Sequence, residues 1–166
     1  MKAADVRFVL LQHGDGKTAL LRGDVQAWAG LDPIMASAEV EAGARLFYRR
    51  PELNTWGILN TTDEFAQKNP DIIKRVLGIY EKARLFALAN PKAVSAALVA
   101  AAKLPENVIA KQLERTDFSA KAIGPVQAEA IKAAGIALQQ AEVIKADADI
   151  AAITAALIDA RYAPSA

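Results

Sequence analysis

The triplet Gly16-Lys17-Thr18 lies between an apolar run and a helical stretch. It has the residue types that cradle a phosphate: glycine backbone N–H groups, an ammonium and a hydroxyl. The spacing argues against that use. A phosphate loop needs a glycine five residues before the Gly-Lys pair, and that place is Leu11. The triplet therefore reads as a strand-to-helix turn. His13 is the single histidine and the chain has no cysteine. Two-histidine metal sites, thiolate nucleophiles and zinc ribbons are excluded. His13 also has no serine or carboxylate partner at motif spacing, so a polar residue at a strand end is its default reading. Glu39 and Glu41, like Asp147 and Asp149, stand two apart. Residues two apart do not share a helix face, so neither pair makes an acid–base dyad or a metal cluster. The basic pairs Arg49-Arg50 and Lys74-Arg75 read as solvated surface. Trp28 and Asp32 remain. They fall at the end of an apolar run and the start of the next helix, where ligands bind in open α/β sheets. A core tryptophan and a plain helix cap are the competing readings. Trp56 is similar: a wall between lobes, or core.

Those residues must be positioned by the elements around them. Val6–Gln12, Val25–Gly30 and Ala44–Tyr48 are short apolar runs rich in β-formers, and each reads as a buried strand. Lys17–Arg22, stopped by Gly23, and a helix from Asp32-Pro33 to Ala42, stopped by Gly43, separate them. This β-α-β-α-β alternation predicts a small, largely parallel sheet. Asn54–Asn60 reads as a fourth strand, after a polar break at Pro51. Beyond it the pattern is helical. Thr61 with Glu64 has capping-box spacing. Asn69-Pro70, Asn90-Pro91, Pro105 and Pro125 open four helices, and Asp149–Arg161 forms a last Ala-rich one. The predicted organisation is a partial second lobe over 1–50, a hinge at 51–53, and the share of a first lobe over 54–166.

Composition narrows the function classes. The chain has 166 residues, 20 Lys plus Arg against 19 Asp plus Glu, and a net charge of +1. That near balance removes the broad electrostatic case for nucleic acid or an anionic membrane. An apolar fraction of 53% with 23% charged residues describes a folding chain rather than a disordered one. No stretch reaches the roughly 20 consecutive apolar residues that span a bilayer. The N-terminus lacks a full signal-peptide core and a small-residue cleavage site, so no export signal is expected in this chain.

The segment GDVQAWAGLDPIMASAEVEAGARLFYRR, residues 23–50, resembles the periplasmic substrate-binding proteins of ABC importers for aliphatic sulfonates, within the nitrate/sulfonate/taurine group. The stretch LNTWGILNTTDEFAQKNPDIIKRVLGIYEKARLFALANP, residues 53–91, and LPENVIAKQLERTDF, residues 104–118, extend the resemblance. It covers the C-terminal half of such proteins only. It implies an α/β fold: the C-terminal half of a two-lobed, type II periplasmic-binding-protein-like architecture, with a small mostly parallel sheet and a helix-rich C-terminal part. It implies a binding function without catalysis or cofactor. A small anion of the alkanesulfonate, taurine or nitrate class would be held between lobes and passed to an ABC permease in the membrane, in the periplasm. By the same resemblance Trp28 and Asp32 face the cleft, with Asn54 and Trp56 in the hinge-side strand as further ligand-binding candidates. Asp32 would suit an amine on the ligand and would otherwise serve as a cap. The family's Gly-, Ser- and Thr-rich anion-binding turn has no counterpart here.

Two alternatives stay open. One is a truncated or self-associating fragment, a homo-oligomer completing the truncated lobes through exposed strand edges. The other is a desulfinase-like enzyme of the same fold. The enzyme reading calls for a reactive cysteine or several histidines, which this chain lacks.

Overall fold

The computed structural model describes residues 5–53 and 56–162. Among these residues lie the helices α1 (His13–Arg22), α2 (Ile34–Ala42), α3 (Asp63–Lys68), α4 (Pro70–Ala89), α5 (Pro91–Ala102), α6 (Glu106–Glu114), α7 (Pro125–Gln140) and α8 (Ile150–Leu157), with a short 3-10 turn at Pro51–Leu53. Local chemistry accounts for most of the boundaries. Pro70 and Pro125 occupy first-turn positions, where the missing N–H costs nothing. Gly23 and Gly43 end α1 and α2 in the left-handed conformation that glycine adopts freely. Asp149 caps α8 by accepting from the Ala152 N–H at 2.9 Å. The cap of α3 is Thr62, whose hydroxyl accepts from the Phe65 N–H at 3.2 Å, one residue later than the Thr61–Glu64 spacing predicts. Helix α1 starts four residues earlier than expected and absorbs the Gly14-Asp15-Gly16 turn, with Asp15 in its positively polarised first turn.

The α/β expectation is overturned. No β-strand or sheet forms among the described residues, so the mostly parallel sheet of a type II binding-protein lobe is not present. Val6–Gln12, Val25–Gly30, Ala44–Tyr48 and the described part of the fourth run, 56–60, carry no regular structure. The backbone bonds they do make go to adjacent helix ends: Gly16 N–H to Gln12 O, Val25 N–H to Ala19 O and Ala44 N–H to Ala38 O. The physical reason is the source of the partners. A helix takes its hydrogen bonds from its own chain four residues away, whereas a strand needs a second strand alongside. These apolar runs find no second strand among the described residues.

The chain divides into two compact units interleaved in sequence. The first is Met1–Phe47 with Pro91–Thr116, and the second is Tyr48–Asn90 with Asp117–Ala166. In the first, α2 packs against both α1 and α6, and α5 packs on α6. Its core is small: Val108 and Ile109 of α6 are fully buried, with Ala36 and Ala38 of α2. In the second unit α3 packs on α4, and α7 packs on α8 and on the 3-10 turn. Arg84 of α4 grips Glu81 in a two-pronged ion pair, at 2.7 and 2.9 Å, and donates to the Phe118 carbonyl at 3.0 Å. The Tyr162 hydroxyl donates to the Ala66 carbonyl of α3 at 3.2 Å. Among the described residues no single helix is long and apolar enough to cross a membrane.

Much large apolar surface stays outside these cores. Phe8 is 75% exposed, Leu10 94% and Phe47 72%. The first unit thus leans on a few buried side chains, Ile109 foremost. Ile109→Ala is expected to lower stability by about 2–4 kcal/mol, because the cavity adds to the lost transfer energy. Urea unfolding followed by helical circular dichroism checks this.

Candidate functional site

Trp28 and Asp32 both belong to the first unit. Trp28 sits in the irregular segment before α2 and is partly buried. Its indole lies against two glycines. A Cβ at Gly16 of α1 would stand 2.3 Å from the indole nitrogen, and one at Gly30 would stand 2.7 Å from the far ring edge. Gly16 of the Gly-Lys-Thr triplet is therefore the seat of a tryptophan. Lys17 beside it is committed as well. Its ammonium donates to the Ser37 hydroxyl and lies 3.3 Å from Glu41, and Ser37 in turn donates to Glu41. The Ser37 hydroxyl first, and Lys17 second, hold the Glu41 carboxyl below its usual range. This cluster ties α1 to α2. His13 is the exposed first residue of α1.

Asp32 does two jobs at the start of α2. Its Oδ1 accepts from the Ala36 N–H at 3.0 Å, but the cap position of α2 is Pro33, one residue later than the expected cap at Asp32. Its carboxylate also takes both prongs of Arg115, Nε to Oδ2 at 2.7 Å and Nη2 to Oδ1 at 2.9 Å. Arg115 Nη2 lies 2.7 Å from Glu39 Oε2 too. That oxygen is buried, and among the described residues its near partner is the Arg115 guanidinium. The side chains of Arg115, Asp32 and Glu39 are 10%, 19% and 18% exposed. Burial works against the Arg115 charge, but Asp32 and then Glu39 outweigh it and hold its pKa above the ordinary value.

The other candidates lie elsewhere. Asn54 falls outside the described residues. Trp56 is in the second unit, partly buried, and its indole N–H is buried without a hydrogen-bond partner among the described residues. Such a donor is costly to leave unpaired, by about 1–3 kcal/mol. Sequence reasoning passed over Arg115. It stands in the LPENVIAKQLERTDF segment, yet nothing local pairs it with Asp32, 83 residues away. It also passed over a shallow groove in the first unit, where Arg7, Val9 and Leu11 face Asp15, Thr18 and Arg22 of α1. Among the described residues no group of three or more His, Asp and Glu side chains could hold a metal ion.

Comparison with protein-family models finds no match, and no solved structure matches the chain. A curated protein does. The chain is 30% identical over 130 residues to the Escherichia coli (strain K12) protein named "Putative aliphatic sulfonates-binding protein". The match covers 78% of this chain and 40% of that protein, so the chain spans well under half the length of the relative. The resemblance to aliphatic-sulfonate binding proteins is thus a real, partial similarity, and the relative is named for binding rather than for catalysis.

Two expectations follow from this geometry. Gly16→Ala forces the Trp28 ring to move. It should lower stability by about 1–3 kcal/mol and shift the tryptophan emission, the cost of overpacking. Gly14→Ala, two residues earlier with nothing within 4 Å, should be neutral or stabilising by up to about 1 kcal/mol. Equal effects at the two positions would refute the seating of Trp28 on α1. Arg115→Met leaves two carboxylates facing each other without their cation. It should cost about 2–4 kcal/mol in urea unfolding, below the largest losses for buried pairs because solvent reaches the cluster edge. Arg115→Lys should recover little, since an ammonium cannot reproduce the two-pronged contact. A loss under about 1 kcal/mol would put the cluster among ordinary surface pairs.

Proposed function

We propose that the chain is part of the solute-binding component of an ABC importer and takes a small anion of the aliphatic-sulfonate class. In this reading the ligand is bound between lobes and handed to a membrane permease, and the protein works in the periplasm. The observation that carries it is the partial similarity to the E. coli protein. The candidate residues are chemically suited. The indole face of Trp28 offers an apolar wall for an alkyl chain. The unpaired indole N–H of Trp56 offers a donor for a sulfonate oxygen, and Asn54 adds an amide. Asp32, Glu39 and Arg115 together carry one net negative charge, so Asp32 suits an ammonium on the ligand rather than a sulfonate head.

A second reading is favoured by a different observation. Phe8, Leu10 and Phe47 stay largely exposed, and apolar runs that read as strands have no neighbour among the described residues. In this reading the chain completes its fold by association with a second copy.

Titration calorimetry and intrinsic tryptophan emission test the first reading, with ethanesulfonate, taurine and nitrate as separate probes. Saturable heat and an emission change are expected with a sulfonate. Trp56→Phe should weaken that binding about 10- to 100-fold, the loss of one hydrogen bond to a charged group, without lowering stability. Silence with all three probes would remove ligand binding from this chain and leave the association reading.

A further inference from the structure

One face of α1 borders a groove of about 380 Å³ in the first unit. Asp15, Thr18, Ala19 and Arg22 recur every three or four residues, so together they form that wall. Arg7, Val9 and Leu11 form the facing wall. They join α1 through Gln12, so the segment runs back along the helix, with Leu11 toward Asp15 and Arg7 toward Arg22. Asp24 and Val25 close the Arg22 end. Their N–H groups both donate to the Ala19 carbonyl, at 2.9 and 3.4 Å, which fixes that end on the helix.

The two ends differ in the hydrogen bonds they can make. At one end the guanidiniums of Arg7 and Arg22 are donors only. Neither forms an ion pair or a side-chain hydrogen bond among the described residues. Arg50, Arg84, Arg115 and Arg161, in contrast, are each bound to a carboxylate. With Asp24 beside them, Arg7 and Arg22 leave that end with one net positive charge. At the other end the Asp15 carboxylate is an acceptor only, and it too forms no ion pair among the described residues. The Thr18 hydroxyl gives its proton to the Gly14 carbonyl at 3.0 Å, so toward a ligand it also only accepts. Val9, Leu11, Ala19 and Val25 add apolar surface to the walls. The four charges cancel, so the groove as a whole favours neither a simple anion nor a simple cation. It favours a molecule that carries both.

We propose that this groove binds a zwitterion: an oxyanion held by Arg7 and Arg22, an ammonium held by Asp15 and Thr18, and an aliphatic spacer between them. Asp15 and Arg22 stand about 10 Å apart along the helix axis, which calls for a spacer longer than that of taurine. The site uses neither Asn54 nor Trp56 and needs no second copy. Its failure therefore leaves the sulfonate reading standing, and silence with the sulfonate-class probes leaves the groove standing.

Titration of the full chain with ε-aminocaproate, followed by nuclear magnetic resonance shifts of its amides, tests the proposal. Caproate and hexylamine serve as probes that keep one charge each. A dissociation constant of about 1 mM is expected for so small a ligand in an open groove. Caproate and hexylamine should each bind at least about tenfold more weakly, the loss of one contact to a charged group. Arg7→Gln should weaken ε-aminocaproate and caproate alike, by about tenfold. Asp15→Asn should bring ε-aminocaproate down to the level of caproate while leaving caproate no weaker. Both variants alter exposed side chains outside the core, so helical dichroism should be unchanged. No saturation up to about 20 mM, equal affinity for the three probes, or a variant at either position that binds ε-aminocaproate as the parent does would each overturn the proposal.

Discussion

The first unit depends on the charge of one guanidinium. Arg115, at the end of α6, reaches the carboxylates of Asp32 and Glu39 at the start and middle of α2. Taking these charges partly out of water is unfavourable unless each meets an opposite charge in good geometry. The fork of Arg115 meets that demand at Asp32 with two short bonds. The consequence is positional. Asp32, one residue before the cap position Pro33, also accepts from the Ala36 N–H. With α2 pinned there, Ala36 and Ala38 lie buried in the same unit as Val108 and Ile109, and the core closes. On the other flank of α2, Lys17, Ser37 and Glu41 tie α1 in place, and α1 in turn presents Gly16 to Trp28. The side chain proposed to meet a ligand's alkyl part is therefore seated through a chain of contacts that begins at an ion cluster.

The second constraint is what the chain does not satisfy internally. Its helices meet their backbone needs by themselves. Its apolar runs do not, and large side chains such as Phe8, Leu10, Phe47 and Tyr48 remain at the surface. A stretch of sequence shaped for burial on both faces keeps its hydrophobicity whether or not the burying partner is present. Trp56 has a buried indole donor with no acceptor among the described residues.

The helical architecture was legible because its signals are local. Proline at Pro70 and Pro125, glycine after Arg22 and Ala42, and Asp149 before Ile150 each act within a turn of the helix they start or stop, and each boundary falls within a residue or two of its signal. The misplacement of the α3 cap by one residue reflects a choice between two adjacent threonines whose side chains offer the same acceptor. The strands were misread for the opposite reason. Val6–Gln12 has the composition of a strand, but composition states only that a segment suits a sheet. The candidate site divides in the same way. Trp28 and Asp32 could be singled out by residue type and position. The partner of Asp32 and the seat of Trp28 could not.

By itself, the sequence determined the near-neutral charge, the exclusion of cysteine and two-histidine chemistry, the succession of helices and the likeness to sulfonate-binding proteins. Each of these is a property of composition, of neighbours within four residues, or of residue order. The tertiary structure alone decided that Arg115 answers Asp32 across 83 residues, that Gly16 serves an indole instead of a phosphate, and that the β-forming runs stand without a ladder. Ion pairs, close ring packing and strand pairing all require a partner brought from far along the chain or from outside it. Only the folded arrangement establishes whether that partner arrives.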